Sequence, residues 1–222
     1  MNVLLFLVLA SVTCRAEIID RVAVVVGKGV ITESEILREI RLTAFQNAQP
    51  LDFSAASKRK TAERLVEQHL IRAEMNATSY PAPAQEAIEQ TLKEIEGRFP
   101  NAERYRQELE RAGVTEDELK AHLQRQISTL RFLDFRFRPG IQIGEEEIDR
   151  YFDQRLAPEL RRAHPGVEFS LADYRSQIED TLIGERVDKA SDEWLKGARD
   201  HTRIEFRAPV FAPDPPRQEA SK

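Results

Sequence analysis

Residues 17–36 read EIIDRVAVVVGKGVITESEI, and this stretch decides the fold. Ile18 to Val26 is apolar and β-branched, as strands are. Gly27-Lys28-Gly29 then supplies the positive φ a tight hairpin wants, and Val30-Ile31 starts a return strand. Thr32-Glu33-Ser34-Glu35 has the spacing of a capping box: the Thr32 hydroxyl accepts from a free backbone N–H, and Glu35 reaches back to the N–H of Thr32. The order is strand, glycine turn, strand, capped helix. The turn has no third glycine and a β-branched residue follows at once, so a hairpin fits it and a dinucleotide-binding turn does not.

Before it, Val3 to Ala10 is an unbroken apolar run, too short for the roughly 20 residues of a membrane-spanning helix. Cys14-Arg15-Ala16 puts small residues where a signal peptidase reads, so residues 1–16 are expected to be an export signal cleaved after Ala16. Cys14 is the sole cysteine. Cleavage there leaves no thiol, no disulfide and no cysteine-based metal site. Lipidation of Cys14 is the alternative, but Ser11 and Thr13 stand where a lipoprotein signal carries Leu and a small residue.

The chain has 222 residues, 41% hydrophobic and 32% charged, with few glycines, which fits a helical globular protein. A net charge of −5 gives no electrostatic case for nucleic acid, and no further segment is apolar enough for stable membrane insertion.

Helical periodicity continues downstream. Helices are expected over 55–75, from Ala87 to about Phe99, around Tyr105 and Leu109 to Gly113, and from a second capping box at Thr115–Glu118 to Phe137. Ile141-Gln142-Ile143 alternates as a strand would. Glu145–Glu147 suit a helix start, where the macrodipole favours acids, and that helix should end by Leu156. Pro158, Pro165 and Gly166 then fill a loop. The last long helix runs from about 170 to 200. Its apolar stripe changes face at Gly184, from Leu171, Tyr174, Ile178 and Leu182 to Ile183, Val187, Ala190 and Trp194. Such a helix packs on two bodies or kinks. Residues 208–222, rich in proline, read as a disordered tail.

Catalytic patterns are absent. His69, His122, His164 and His201 are not at ligand spacing, and His69, on an apolar helix face, reads as a core histidine. There is no HExxH, P-loop or nucleophile elbow, and no cofactor is implied. Phe132, Phe135 and Phe137 are the candidate contact residues for a partner's apolar segment. Phe132 and Phe135 fall opposite the main stripe of their helix, so they are either buried on a second side or an exposed aromatic patch.

The hairpin and capped helix, Ile19 to Ile36, resemble the opening of the SurA-like periplasmic chaperone family. The resemblance continues through Glu63–Ile71, Glu118-Leu119, Gln124–Ile127 and the Ile141–Ile143 to Glu146–Ile148 junction. Tyr174, Ile178, Leu182, Arg186, Trp194, Arg199 and Ile204 resemble the family's closing helix. The resemblance implies a mainly α chaperone module over 17–207. A small sheet would join N-terminal, central and C-terminal segments, pairing the hairpin with Ile141–Ile143 or Arg203–Phe206. It also implies ATP-independent binding of unfolded exported polypeptides, outer-membrane proteins among them. Family members carry parvulin prolyl-isomerase domains before the closing helix. Here that interval is Asp153–Phe169, against the roughly 50 residues a folded domain needs, so isomerase activity is not expected. Two alternatives stand beside this reading: a non-catalytic subunit with one fixed partner or a homodimer, and a prolyl isomerase.

Overall fold

The computed structural model describes residues 20–78, 80–81 and 85–212. The expected export signal, Ile18 and Ile19, and residues 213–222 lie outside these. Strands β1 (Val22–Val26), β2 (Gly29–Thr32) and β3 (Ile204–Phe206) form an antiparallel sheet in the order β2-β1-β3. Around it stand α1 (Glu33–Gln46), α2 (Ala55–Ala77), α3 (Gln85–Glu96), α4 (Ala102–Ala112), α5 (Glu116–Phe137), α6 (Glu145–Tyr151), α7 (Ala157–Ala163) and α8 (Leu171–Asp200). The fold is mainly α, as expected.

The opening hairpin forms as the sequence indicates. Val26 pairs with Gly29 across the turn, and Gly27 has φ +58°. Gly29 serves differently: a Cβ there would meet the His69 imidazole, so its bareness lets α2 close on the hairpin. Both capping boxes are present, at Thr32/Glu35 and Thr115/Glu118. Each such cap contributes about 1 kcal/mol. Gly113 closes α4 in the left-handed conformation at φ +67°.

Segments from near the two ends of the described chain meet at β1. Val24, Val25 and Val26 pair with Phe206, Glu205 and Ile204, the Gly27 N–H donates to Arg203 O at 2.8 Å, and the Arg207 N–H donates to Ala23 O at 2.8 Å. Of the two strand candidates for this edge, Arg203–Phe206 takes the place. The central segment is not in the sheet, because Ile141–Ile143 is used elsewhere. Gln142 O accepts from Arg186 of α8, and Ile143 packs beside Ile148 and Ile178.

Two further expectations need correction. Pro158 does not open a loop. A π-helical turn, Phe152–Leu156, precedes Pro158 and widens the backbone where the proline ring would clash with a regular α-helical turn, so helix runs from Glu145 to Ala163. Nor does the fold stop at residue 207. Ala208–Phe211 forms a 3-10 turn, and Val210 is 3% exposed in the core under the sheet.

Three apolar clusters hold the elements. The first joins the sheet to α1, α2 and the end of α8 through Val24, Val26, Ile36, Val66 and Leu195. The second joins α1, α3, α4 and α5 through Leu42, Ile95, Leu109 and Leu119. The third joins α6 and the π turn to the start of α8 through Ile148, Phe152 and Ile178. Helix α8 is continuous through Gly184 and packs on the third cluster before it and the first after it. Leu195 and Ala198 meet the first cluster, while Trp194 of the second stripe packs on Phe137 of α5, so the face that turns after Gly184 looks onto α5.

Candidate functional site

The three candidate phenylalanines do not form one patch. Phe132 is 1% exposed and meets the Tyr80 ring edge-on at 5.3 Å. It is a core residue, which corrects its assignment as a surface contact. Phe135 is 65% exposed, with Tyr80 at 5.4 Å on one side. Phe137 is half-buried against Trp194 of α8, ring centroids 6.3 Å apart, and the Arg136 guanidinium lies 5.3 Å from that indole. Of the three, Phe135 alone offers a largely free aromatic face.

An apolar groove lies elsewhere on the molecule. The C-terminus of α1, the 47–54 loop, the α3–α4 turn and α4 enclose a cavity of about 610 Å³. It falls within the roughly 300–1,000 Å³ of sites that take small ligands or anchoring side chains. Phe45, Leu51, Phe99 and Pro100 are among its lining residues. Phe45 and Phe99 stack at 5.8 Å with planes 12° apart, and Leu51 is 43% exposed. The chain is bent to make this shape. Ala48 takes φ +51°, the Gln49 N–H donates to Ala44 O at 2.8 Å, and Arg98 donates to Gln46 O at 2.7 Å. On the rim, Arg104 and Arg111 both reach Glu108 at 2.8 Å. The groove is thus apolar inside and bordered by internally paired charge. Nothing in the periodicity of α1 or α4 announces it, because the sequence gives no distance between the 47–54 loop and the α3–α4 turn. The visible signals were Leu51 in a loop and Phe99-Pro100 at a helix end.

Behind the groove runs a buried polar seam. His122 is 1% exposed; its Nδ1 lies 3.1 Å from Glu39 Oε2 and its Nε2 3.1 Å from Gln46 Oε1. Arg64 donates to Glu39 at 3.4 Å and to Thr43 Oγ1 at 3.0 Å. Burial pushes the Glu39 carboxyl up, but the His122 hydrogen bond and charge, with Arg64 and Arg125, outweigh it and hold the group below the usual carboxylate range. The seam joins α1 to α5 and fixes the helix that ends at the groove. The core histidine is therefore His122 and not His69. The latter is half-buried and stands over Gly29.

Beside the groove, Tyr105 packs on Phe45 and Phe99, and its hydroxyl is buried without a hydrogen-bond partner. Burial pushes its pKa up, since the phenolate has no compensating donor. An unpaired buried hydroxyl costs about 1–3 kcal/mol. Tyr105→Phe should therefore leave stability unchanged or raise it by up to about 1 kcal/mol in urea denaturation, whereas a loss above that size would mean that the hydroxyl has a partner.

Among the described residues, no helix is long and apolar enough to cross a membrane, and no group of three or more His, Cys, Asp or Glu is placed to hold a metal ion. The arrangement offers binding surfaces, a groove and an exposed ring, with no nucleophile and base set against each other in them.

A family model described as the SurA-like N-terminal domain matches residues 2–133. The chain belongs to that family. The match ends within α5; β3 and the end of α8, which lie beyond it, pair with β1 and pack on the first core. Family membership associates the chain with chaperones that act on polypeptides. No curated protein matches the chain.

Proposed function

We propose that this protein is an ATP-independent holding chaperone of the periplasm. It binds unfolded exported polypeptides, outer-membrane proteins among them, and does not isomerise prolyl bonds. The observation that carries the reading is the open apolar groove of Phe45, Leu51, Phe99 and Pro100 in a SurA-like module. An extended client segment lays apolar side chains into it while its backbone stays hydrated at the charged rim. Ordering a disordered client offsets much of the contact energy, so binding is weak and release needs no nucleotide. The export reading rests on the apolar run Val3–Ala10 and the small residues before Glu17, and the periplasm is the compartment of the SurA-like family. The absence of isomerisation rests on the shortness of the interval Asp153–Phe169, which holds the rest of the π turn, α7 and a short loop.

Leu51→Glu tests the groove. Its side chain is partly exposed, so the melting temperature should move little, while suppression of client aggregation should fall severalfold. Unchanged suppression would remove the groove from the mechanism. A prolyl-isomerase assay run beside it should stay at the uncatalysed rate, and turnover would favour the enzyme reading. Fractionation should find the protein in the periplasm with Glu17 at its N-terminus. One saturable, tight complex with a single protein, in place of many weak ones, would favour a fixed-partner subunit.

A further inference from the structure

A second cavity, of about 320 Å³, lies between β2, α1, α2 and α5. Three guanidinium side chains, Arg38, Arg72 and Arg125, line it beside an apolar wall of Ile31, Leu42 and Leu65. The acids nearby are already engaged. Glu35 serves the capping box, Glu39 binds His122 and Arg64, and Glu118 takes Arg38 at 3.2 Å. Arg72 and Arg125 have no ion-pair partner among the described residues, although Arg125 is partly buried. Burial and the charges of Arg72 and Arg38 disfavour the Arg125 cation, and Glu39 compensates in part. An anion placed between Arg72 and Arg125 would relieve that repulsion, and a planar carboxylate matches the donor fork of arginine.

The neighbouring backbone narrows the choice of anion. β2 is an edge strand, and Gly29, Val30 and Ile31 all line the cavity. Side chains of a strand alternate faces, so consecutive residues meet one cavity only along the strand's edge. An open edge accepts the backbone of another polypeptide. Inorganic phosphate would satisfy the arginines but leave the apolar wall and the edge empty.

We propose that this cavity receives the C-terminal residue of a bound polypeptide. Its α-carboxylate lies on Arg72 and Arg125, its aliphatic side chain against Ile31, Leu42 and Leu65, and its backbone beside β2. This rests on the polypeptide-binding reading above and adds a site for the chain end, apart from the apolar groove.

The test is fluorescence anisotropy with the whole mature protein and a short labelled peptide ending in leucine, prepared as the free acid and as the C-terminal amide. The acid should bind about tenfold or more tightly than the amide, since a charge-assisted bond contributes about 1.5–3 kcal/mol. An amidated peptide carrying a penultimate aspartate should bind like the plain amide, which separates an α-carboxylate from a side-chain one. Arg72→Gln, at an exposed position, should lower the affinity for the acid towards that for the amide and leave the amide unaffected. Arg125→Gln should do the same, provided circular dichroism shows it folded. Equal binding of acid and amide, or displacement of the acid by an equal concentration of inorganic phosphate, would overturn the proposal. Equal binding would leave the groove reading intact, because aggregation suppression by the groove does not require a free chain end. Binding of neither peptide, together with no suppression of aggregation, would overturn both.

Discussion

Replacing His122 with alanine is expected to destabilise the protein by about 3–5 kcal/mol, because it leaves Glu39 buried without its closest partner. The two side chains come from α1 and α5, and both are almost fully shielded from water. Removing the imidazole also takes the partner of Gln46 Oε1, 3.1 Å away, while Gln46 Nε2 keeps its bond to Gln126 at 3.0 Å. Urea unfolding of wild type, His122→Ala, Glu39→Gln and the double variant gives the coupling. The double variant should be less damaged than the sum of the single ones, since the second change removes the orphaned charge. A loss below about 1 kcal/mol in His122→Ala would mean that water replaces the imidazole. The same pair sets an acid limit. Glu39 is held below its ordinary value in the folded state, so its contribution is complete above the carboxylate range of the unfolded chain and is lost as pH falls through the depressed folded value. Acid unfolding should therefore shift in Glu39→Gln, which has no such proton to take up.

The second large effect divides two neighbouring phenylalanines. Phe132→Ser should cost about 3–5 kcal/mol, because it opens a cavity beside Tyr80 and buries a hydroxyl. Phe135→Ser, one helical turn on and largely exposed, should change stability by no more than about 0.5 kcal/mol. If Phe135 contacts clients, its variant loses client affinity at unchanged melting temperature, while any loss in Phe132→Ser follows from unfolding. Equal stability losses in the two variants would show that Phe135 is covered in solution, and unchanged client affinity in Phe135→Ser would exclude it from the binding surface.

The legible part of this fold was local. The hairpin, both capping boxes, the glycine stop at Gly113 and the helix over 116–137 depend on side chains reaching backbone groups within a few residues, and the spacing of Thr32 and Glu35 or of Thr115 and Glu118 records that. The closing role of α8 was legible through the displaced apolar stripe at Gly184, because two packing partners require two faces. Features that depend on distance between segments were not. Phe132 and Phe135 have the same chemistry on one helix, and only the approach of Tyr80 and the neighbouring core separates buried from exposed. Pro158 reads locally as a breaker, and the π turn that accommodates it has no sequence signature. The groove of Phe45, Leu51 and Phe99 and the Glu39–His122 seam each join residues far apart in the chain. No periodicity reports such pairs.

The most direct test of the chaperone function is light scattering of an unfolded β-barrel outer-membrane protein diluted from denaturant into nucleotide-free buffer, with and without this protein in excess. Aggregation should be suppressed in proportion to the amount added, and the Leu51→Glu variant should suppress it less. Aggregation that proceeds unchanged at excess folded protein would contradict the chaperone function.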